Sequence, residues 1–127
     1  MVKQEFFEEK SAWKVTNGLG HVRWFNKNWA LHRIDGPAIE MKHGRREWYY
    51  EGKLHRIDGP AVELGTKYKF WYQMGELHRI CGPAIHTINE TSFYLRGERF
   101  PTKEAFFEAL TPEEKSIALF SEDFLNA

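Results

Sequence analysis

The stretch Leu31-His-Arg-Ile-Asp-Gly-Pro-Ala38 recurs as Leu54-His-Arg-Ile-Asp-Gly-Pro-Ala61 and as Leu77-His-Arg-Ile-Cys-Gly-Pro-Ala84, at a spacing of 23 residues each time. Three near-identical octapeptides at one spacing indicate an internal repeat. Such a period is typical of proteins in which one supersecondary unit stacks on the next. The octapeptides therefore decide the predicted architecture.

Each unit reads as strands joined by tight turns. Glu51-Gly52 is a two-residue hairpin signal. Asp-Gly-Pro then ends a strand, because Asp bonds nearby backbone, Gly tolerates positive φ and Pro lacks the amide donor that a strand interior needs. In the second unit we predict a strand at 38–41, a turn at 42–45, an aromatic strand at 46–50, an extended piece at 53–55 and an exit at 56–60. The fold class that follows is mainly β, an antiparallel meander of 23-residue β-hairpin repeats with a short α-helical C-terminal cap.

Both ends of the chain differ from the repeat. Before it, residues 13–16, an Asn17-Gly18 turn and residues 21–25 predict one further hairpin. After it, Thr102 can cap a helix at 103–110, and Thr111-Pro-Glu-Glu114 is a capping box that opens a second helix to about residue 120. We expect one domain over 1–127, with an N-terminal cap at 1–21, a β-repeat array at 22–100 and a helical tail at 101–127. The tail is expected to cover the sheet or to form a homo-oligomer contact.

Composition limits the partners. The 18 basic residues balance 18 acidic ones in 127, so no net field draws the chain onto a long nucleic acid. No apolar stretch approaches the roughly 20 residues of a membrane span. The single cysteine, Cys81, excludes an internal disulfide and disfavours a cysteine-rich zinc site. We therefore expect a cytoplasmic protein that contacts no membrane and holds no cofactor.

The units resemble a known class of repeat. Gly52-Lys53-x-His55 and Gly75-Glu76-x-His78, each after an aromatic strand, are similar to MORN-type β-hairpin repeats. The Leu-His-Arg-x-Asp-Gly-Pro-Ala unit is similar to tandem repeats of small, uncharacterised bacteriophage and bacterial proteins, over residues 22–110. The resemblance implies a docking or scaffolding protein. It also implies an accessory protein that inhibits or modulates a host factor, located in the host cytoplasm if phage-encoded.

The polar residues of the octapeptides have two readings. As metal ligands they are poorly placed, because equivalent positions two strands apart are roughly 9.6 Å apart, too far to share one ion. As structural groups they satisfy backbone at each bend, with arginine pairing aspartate and histidine bonding a neighbouring turn. We predict no metal site and a structural cluster in every unit, formed by His32, Asp35, His55, Asp58 and His78.

The aromatic strands predict two faces of the sheet. One ladder is expected from Phe25, Trp48, Trp71 and Tyr94, forming a core face under the helical tail. The opposite face would then present Tyr49 and Tyr72, and a candidate binding surface of these tyrosines with Arg33, Arg56 and Arg79.

Function follows from that second face. The leading hypothesis is a non-enzymatic protein-binding module. The alternative is a small-ligand protein that binds or sequesters a nucleotide through the tyrosine and arginine rows. A reactive Cys81–His78 pair is conceivable, but neither sister unit has an equivalent cysteine, so we predict that the protein is not an enzyme.

Overall fold

An antiparallel β-meander forms most of the protein in the computed structural model, which describes residues 1–127. The strands are β1 Lys3–Phe7, β2 Ala12–Thr16, β3 Val22–Phe25, β4 Ile39–Glu40, β5 Arg45–Glu47, β6 Tyr49–Tyr50, β7 Lys53–Leu54, β8 Val62–Leu64, β9 Tyr68–Phe70, β10 Tyr72–Gln73, β11 Glu76–Leu77, β12 Ile85–His86, β13 Thr91–Leu95 and β14 Glu98–Phe100.

Strand order in the sheet follows the chain. Ten strands form one sheet in the order β1-β2-β3-β4-β5-β8-β9-β12-β13-β14, and β6–β7 and β10–β11 are separate two-stranded ladders. The mainly β antiparallel meander predicted from the sequence is confirmed. Strand β1, which pairs with β2 over five residues and follows no repeat signal, was not predicted.

The octapeptides are where a strand leaves the sheet and returns to it. The N–H of Trp48 donates to the Ala61 carbonyl at 2.7 Å, and the N–H of His55 donates to the Trp48 carbonyl at 3.0 Å. Both ends of residues 56–60 therefore meet on one tryptophan, and the five residues form a loop that projects from the sheet. The same bonds recur at Trp24 and Trp71. We name these excursions loop 1 (33–37), loop 2 (56–60) and loop 3 (79–83), and the side they project from the loop face.

This arrangement corrects the predicted strand at 46–50. Its backbone divides into β5 and β6 at Trp48, because the partner strand departs there into loop 2. The predicted strand at 38–41 likewise shortens to β4, because loop 1 returns to the sheet at Ala38 and the Met41 carbonyl accepts the Gly44 N–H of the next turn.

The aromatic ladder predicted from a constant spacing is wrong at both ends. The residue equivalent to Trp48 in the first unit is Trp24, not Phe25, since Trp24 accepts the bond from His32. At the other end Tyr94 is equivalent to Tyr72, because it accepts the N–H of Arg79 as Tyr72 accepts that of Arg56. The physical reason is turn length. Counted between equivalent paired residues, the turn between Phe25 and Leu31 is one residue longer than its counterpart between β6 and β7, and the turn between β12 and β13 is one residue shorter than that between β8 and β9.

Three short helices follow the sheet: α1 Lys103–Ala109, α2 Pro112–Leu119 and α3 Glu122–Leu125. Thr102 caps α1 by accepting the Ala105 N–H, and the predicted capping box of Thr111 and Glu114 is present at α2. Helix α3, capped by Ser121, was not predicted. No helix has the length and apolar character to span a membrane.

The helices close the end of the meander rather than covering its face. Phe106, fully buried, centres a cluster of β13 and tail residues: Phe93, Leu95, Leu110, Ala118 and Phe124. The predicted core face under the tail is therefore wrong, since Trp48 and Trp71 lie beyond this cluster and stay half-buried. Because an extended sheet has little interior, only 18 of 127 residues are buried. Phe120 remains 92% exposed on the tail, and oligomerisation through the helices stays a prediction.

The end cap predicts a large difference between two phenylalanines of the tail. Phe106→Ala should lower the free energy of unfolding by about 3–5 kcal/mol, because it leaves a cavity in the one sizeable cluster. Phe120→Ala, the matched control, should stay within about 0.5 kcal/mol of the parent, since its ring is exposed. Urea denaturation of both variants measures this, and equal losses would contradict the described cap.

Candidate functional site

Each loop is held against the sheet by its arginine. The guanidinium carbon lies over the ring of the preceding tryptophan, at 4.6 Å for Arg33 on Trp24 and at 3.8 Å for Arg56 on Trp48. In loop 3 Arg79 lies over Trp71 at 3.8 Å. Stacking of this kind favours arginine, whose planar group is weakly hydrated.

The same guanidinium also closes the loop. Nη1 of Arg56 donates to the Pro60 carbonyl at 3.1 Å, and the equivalent bonds reach Pro37 in loop 1 and Pro83 in loop 3. Glycine precedes each proline because the guanidinium crosses its backbone: a Cβ added at Gly59 would lie 2.7 Å from the Arg56 Cζ. The arginine of each loop is thus fixed between a ring and a carbonyl, an arrangement we call the loop staple.

Carboxylates complete the staple in the first two loops. Arg33 Nε lies 3.0 Å from the Asp35 carboxylate and Arg56 Nε lies 3.2 Å from that of Asp58. Glu40 and Glu63 lie further off, at 3.3 and 3.9 Å from the respective Nη1 atoms. The arginine–aspartate pairs expected from the sequence are therefore brought together in loops 1 and 2.

Histidine ties each unit to the next turn. Nδ1 of His32 accepts the N–H of Glu51, that of His55 accepts Met74, and that of His78 accepts Arg96, each at 2.9 Å. The three donors have φ of 46°, 47° and 48°, the left-handed conformation of a tight hairpin turn. The histidines therefore act on backbone, and nowhere do three His, Cys, Asp or Glu residues come together to hold a metal ion.

Loop 3 takes its carboxylate from the tail. Cys81 replaces the loop aspartate, and Asp123 of α3 accepts from Arg79 Nη2 at 2.6 Å. The Ser121 hydroxyl donates to the Cys81 carbonyl at 2.7 Å. Sequence reasoning missed Asp123, because its partner lies 44 residues away and nothing in the local pattern of the tail marks it.

A groove runs between loops 1 and 2 above the strand that holds Trp48. Its volume is about 780 Å³. Ile34 and Ile57 stand on its two rims and are 82% and 78% exposed. Tyr50 lies on the same strand, its ring 4.9 Å from that of His32. Two large apolar side chains therefore stay exposed beside one groove.

The neighbouring grooves are smaller, and residues from the chain ends help to line them. The groove between loops 2 and 3 has a volume of about 420 Å³ and includes Asp123 of the tail. The one before loop 1 has about 240 Å³ and is lined in part by Glu9 and Lys10. Among these three, the central groove is the one that no residue of either chain end lines.

Part of the predicted tyrosine–arginine surface comes together in the structure: Tyr49, Arg33 and Arg56 line the central groove, whereas Tyr72 and Arg79 do not. Tyr49 is half-buried and packs against the small cluster of Ala12, Trp24 and Ala38. The Tyr49 hydroxyl donates to Glu47 Oε1 at 2.8 Å. Burial, together with this bond, raises the pKa of Tyr49 to about 12. Tyr72 occupies the equivalent position to Tyr49. Tyr50 lines the same groove beside the arginines and was not singled out from the sequence.

The staple predicts that lysine cannot replace arginine. Arg56→Lys keeps the charge but loses the planar stack on Trp48 and the fixed bond to Pro60. We expect a loss of about 1–2 kcal/mol in the free energy of unfolding. Arg46→Lys, at a half-exposed arginine of β5, is the control and should change the free energy of unfolding by less than about 0.5 kcal/mol. Equal effects in denaturant titrations would argue against the staple.

His78 predicts a dependence of stability on pH. Burial lowers the pKa of this imidazole below 6.5, and nearby Arg96 lowers it further, while Glu114 and Glu76 act in the opposite direction. The unfolded chain therefore binds the proton more readily. Stability from this group is complete above the unfolded pKa and declines as pH falls through the folded value.

Unfolding free energies at about pH 7.5 and about pH 5.5 test this, since protonation also removes the acceptor for the Arg96 N–H. His78→Gln should show a smaller loss between the two pH values than the parent. The exposed His43→Gln is the control and should keep the parental loss. An unchanged profile in His78→Gln would assign the dependence to other groups.

Comparison with known proteins finds no relative of this chain. The chain matches no family model, no curated protein and no solved structure. The resemblance of the units to MORN-type repeats therefore stays a prediction.

Proposed function

We propose that the protein is a non-enzymatic protein-binding module whose loop face docks on another protein. The observation that carries this is the pair of isoleucines, Ile34 and Ile57, 82% and 78% exposed on the rims of one groove. Exposed apolar residues cost solubility without stabilising the fold, and together with a groove they are typical of an interaction site.

The loops are suited to binding because they are rigid before a partner arrives. Loop 2 is fixed by the Arg56 stack on Trp48, by the bond to Pro60 and by the return of both loop ends to one strand. A surface ordered in advance loses little conformational entropy on association, so more of the contact energy contributes to affinity.

A protein partner fits this surface better than a nucleotide does. The guanidinium groups that would bind phosphate are already stacked and bonded within their loops, and the side chains of Arg33 and Arg56 are only 19% and 23% exposed. Of the predicted tyrosine row only Tyr49 lines the groove, and its hydroxyl is already bonded to Glu47. What the groove offers freely is apolar surface and carboxylate. The octapeptide resemblance makes a host protein our first candidate partner and inhibition or modulation the proposed effect.

Affinity capture with matched variants tests the proposal. The tagged parent, Ile57→Asp and Ile88→Asp are used to capture proteins and small molecules from bacterial lysate, followed by mass spectrometry. Ile88 is 59% exposed in the turn between β12 and β13 and serves as the control. We expect a stoichiometric protein that the parent and Ile88→Asp retain and Ile57→Asp loses.

Thermal unfolding of the three proteins accompanies the capture, because a charge at an exposed site should leave stability within about 0.5 kcal/mol. A partner retained equally by Ile57→Asp would place binding elsewhere and refute the loop-face proposal. A nucleotide retained without any protein would favour the small-ligand alternative instead.

A further inference from the structure

The three loops differ in what covers them, and the ends of the chain contact two. On loop 3, Asp123 binds the Arg79 guanidinium at 2.6 Å and Ser121 binds the Cys81 carbonyl at 2.7 Å. Ile80, the equivalent of Ile57, packs against the apolar cluster that contains Phe124. A short segment with a hydroxyl, a charged residue and an aromatic residue thus occupies this loop.

On loop 1 the N-terminal end contacts the aspartate and the tryptophan, while Ile34 stays exposed. Lys10 Nζ lies 2.8 Å from the Asp35 carboxylate and 5.3 Å from the centre of the Trp24 ring. The lysine holds the pKa of Asp35 below its usual range, aided by Arg33 and opposed by slight burial. An ammonium group therefore fits against a loop that keeps its aspartate.

Loop 2 has the same groups but no cover. The Asp58 side chain is 88% exposed and bonds only Arg56. Arg56 Nη2 and the Asp58 carbonyl, whose equivalents on loop 3 bind the tail, form no hydrogen bond. Ile57, whose equivalent packs against the tail cluster, is 78% exposed.

The acidic residues present at each loop indicate the charge of a group that would bind there. Loop 3 lacks both, with Cys81 and His86 at the positions of Asp58 and Glu63, and it accepts the carboxylate of Asp123. Loop 2 keeps both near Arg56, at 3.2 and 3.9 Å. A second carboxylate there would meet two like charges, whereas a lysine would meet what Lys10 meets on loop 1.

We propose that loop 2 is the specific docking position and that it takes a lysine-bearing segment with an adjacent apolar side chain from a partner protein. The lysine pairs with Asp58 and the apolar group packs on Ile57. This rests on the proposed function and names the chemistry of the partner. The same charges keep the acidic tail of a second copy off loop 2.

Two peptides on the full-length chain test the inference. Both carry residues 119–127, LFSEDFLNA, with a fluorescent label, and one has the change Asp123→Lys. Fluorescence anisotropy should show the lysine peptide binding about fivefold more tightly, the preference that exposed charge pairs of this kind give. The preference should shrink in high salt.

Variants of loop 2 supply the controls. Asp58→Asn should remove the preference, and the double change Asp58→Cys with Glu63→His, which copies loop 3, should reverse it in favour of the parent peptide. A lysine preference that survives Asp58→Asn, or an equal affinity for both peptides, overturns the inference. So does the absence of saturable binding by either peptide.

The capture experiment separates the two proposals. If Ile57→Asp loses a protein partner and the peptides show no preference, the docking function stands and the proposed preference of loop 2 for lysine is refuted. If the lysine peptide binds through Asp58 and no partner depends on Ile57, the site exists and the proposed function fails.

Discussion

The arginine staple is the interaction on which the rest of the structure depends. An excursion of five residues out of a strand interrupts its hydrogen bonds, and the sheet has no second layer against which such a loop could pack. The guanidinium replaces that layer by stacking on a tryptophan and binding the loop's own proline carbonyl, as Arg56 does with Trp48 and Pro60. One side chain thus supplies packing contacts that a second layer would otherwise provide.

Because the meander has little interior, the two ends of the chain supply many of its tertiary contacts. The helical tail supplies the one sizeable apolar cluster, centred on Phe106, and also supplies Asp123 to the loop that lacks an acid. At the other end Lys10 covers Asp35. The same two ends therefore stabilise the sheet and contact the outer loops but do not line the central groove, which links the architecture to the proposed binding site.

Much of the fold could be read from local signals. The octapeptides, the Glu51-Gly52 turn and the capping box at Thr111 depend on residues within a few positions of each other, and all appear in the structure near their predicted places. Strand β1 was missed because no glycine or asparagine marks the turn between it and β2. Helix α3 was missed because it has only four residues and its contacts to Arg79 and Cys81 span 44 and 40 residues. The ladder of Phe25 and Tyr94 failed because a constant spacing was assumed where turn lengths vary.

The sequence by itself determined the β-meander, the three equivalent bends and the arginine–aspartate pairs, since these follow from local conformational preferences and from groups two residues apart. Only the tertiary structure decided which loop stays open. That depends on where the ends of the chain come to rest, and Asp123 reaches Arg79 across 44 residues through the packing of the tail. The charged groups that surround each loop are therefore set by the folded chain, because the residues that contact a loop in space are distant from it in sequence.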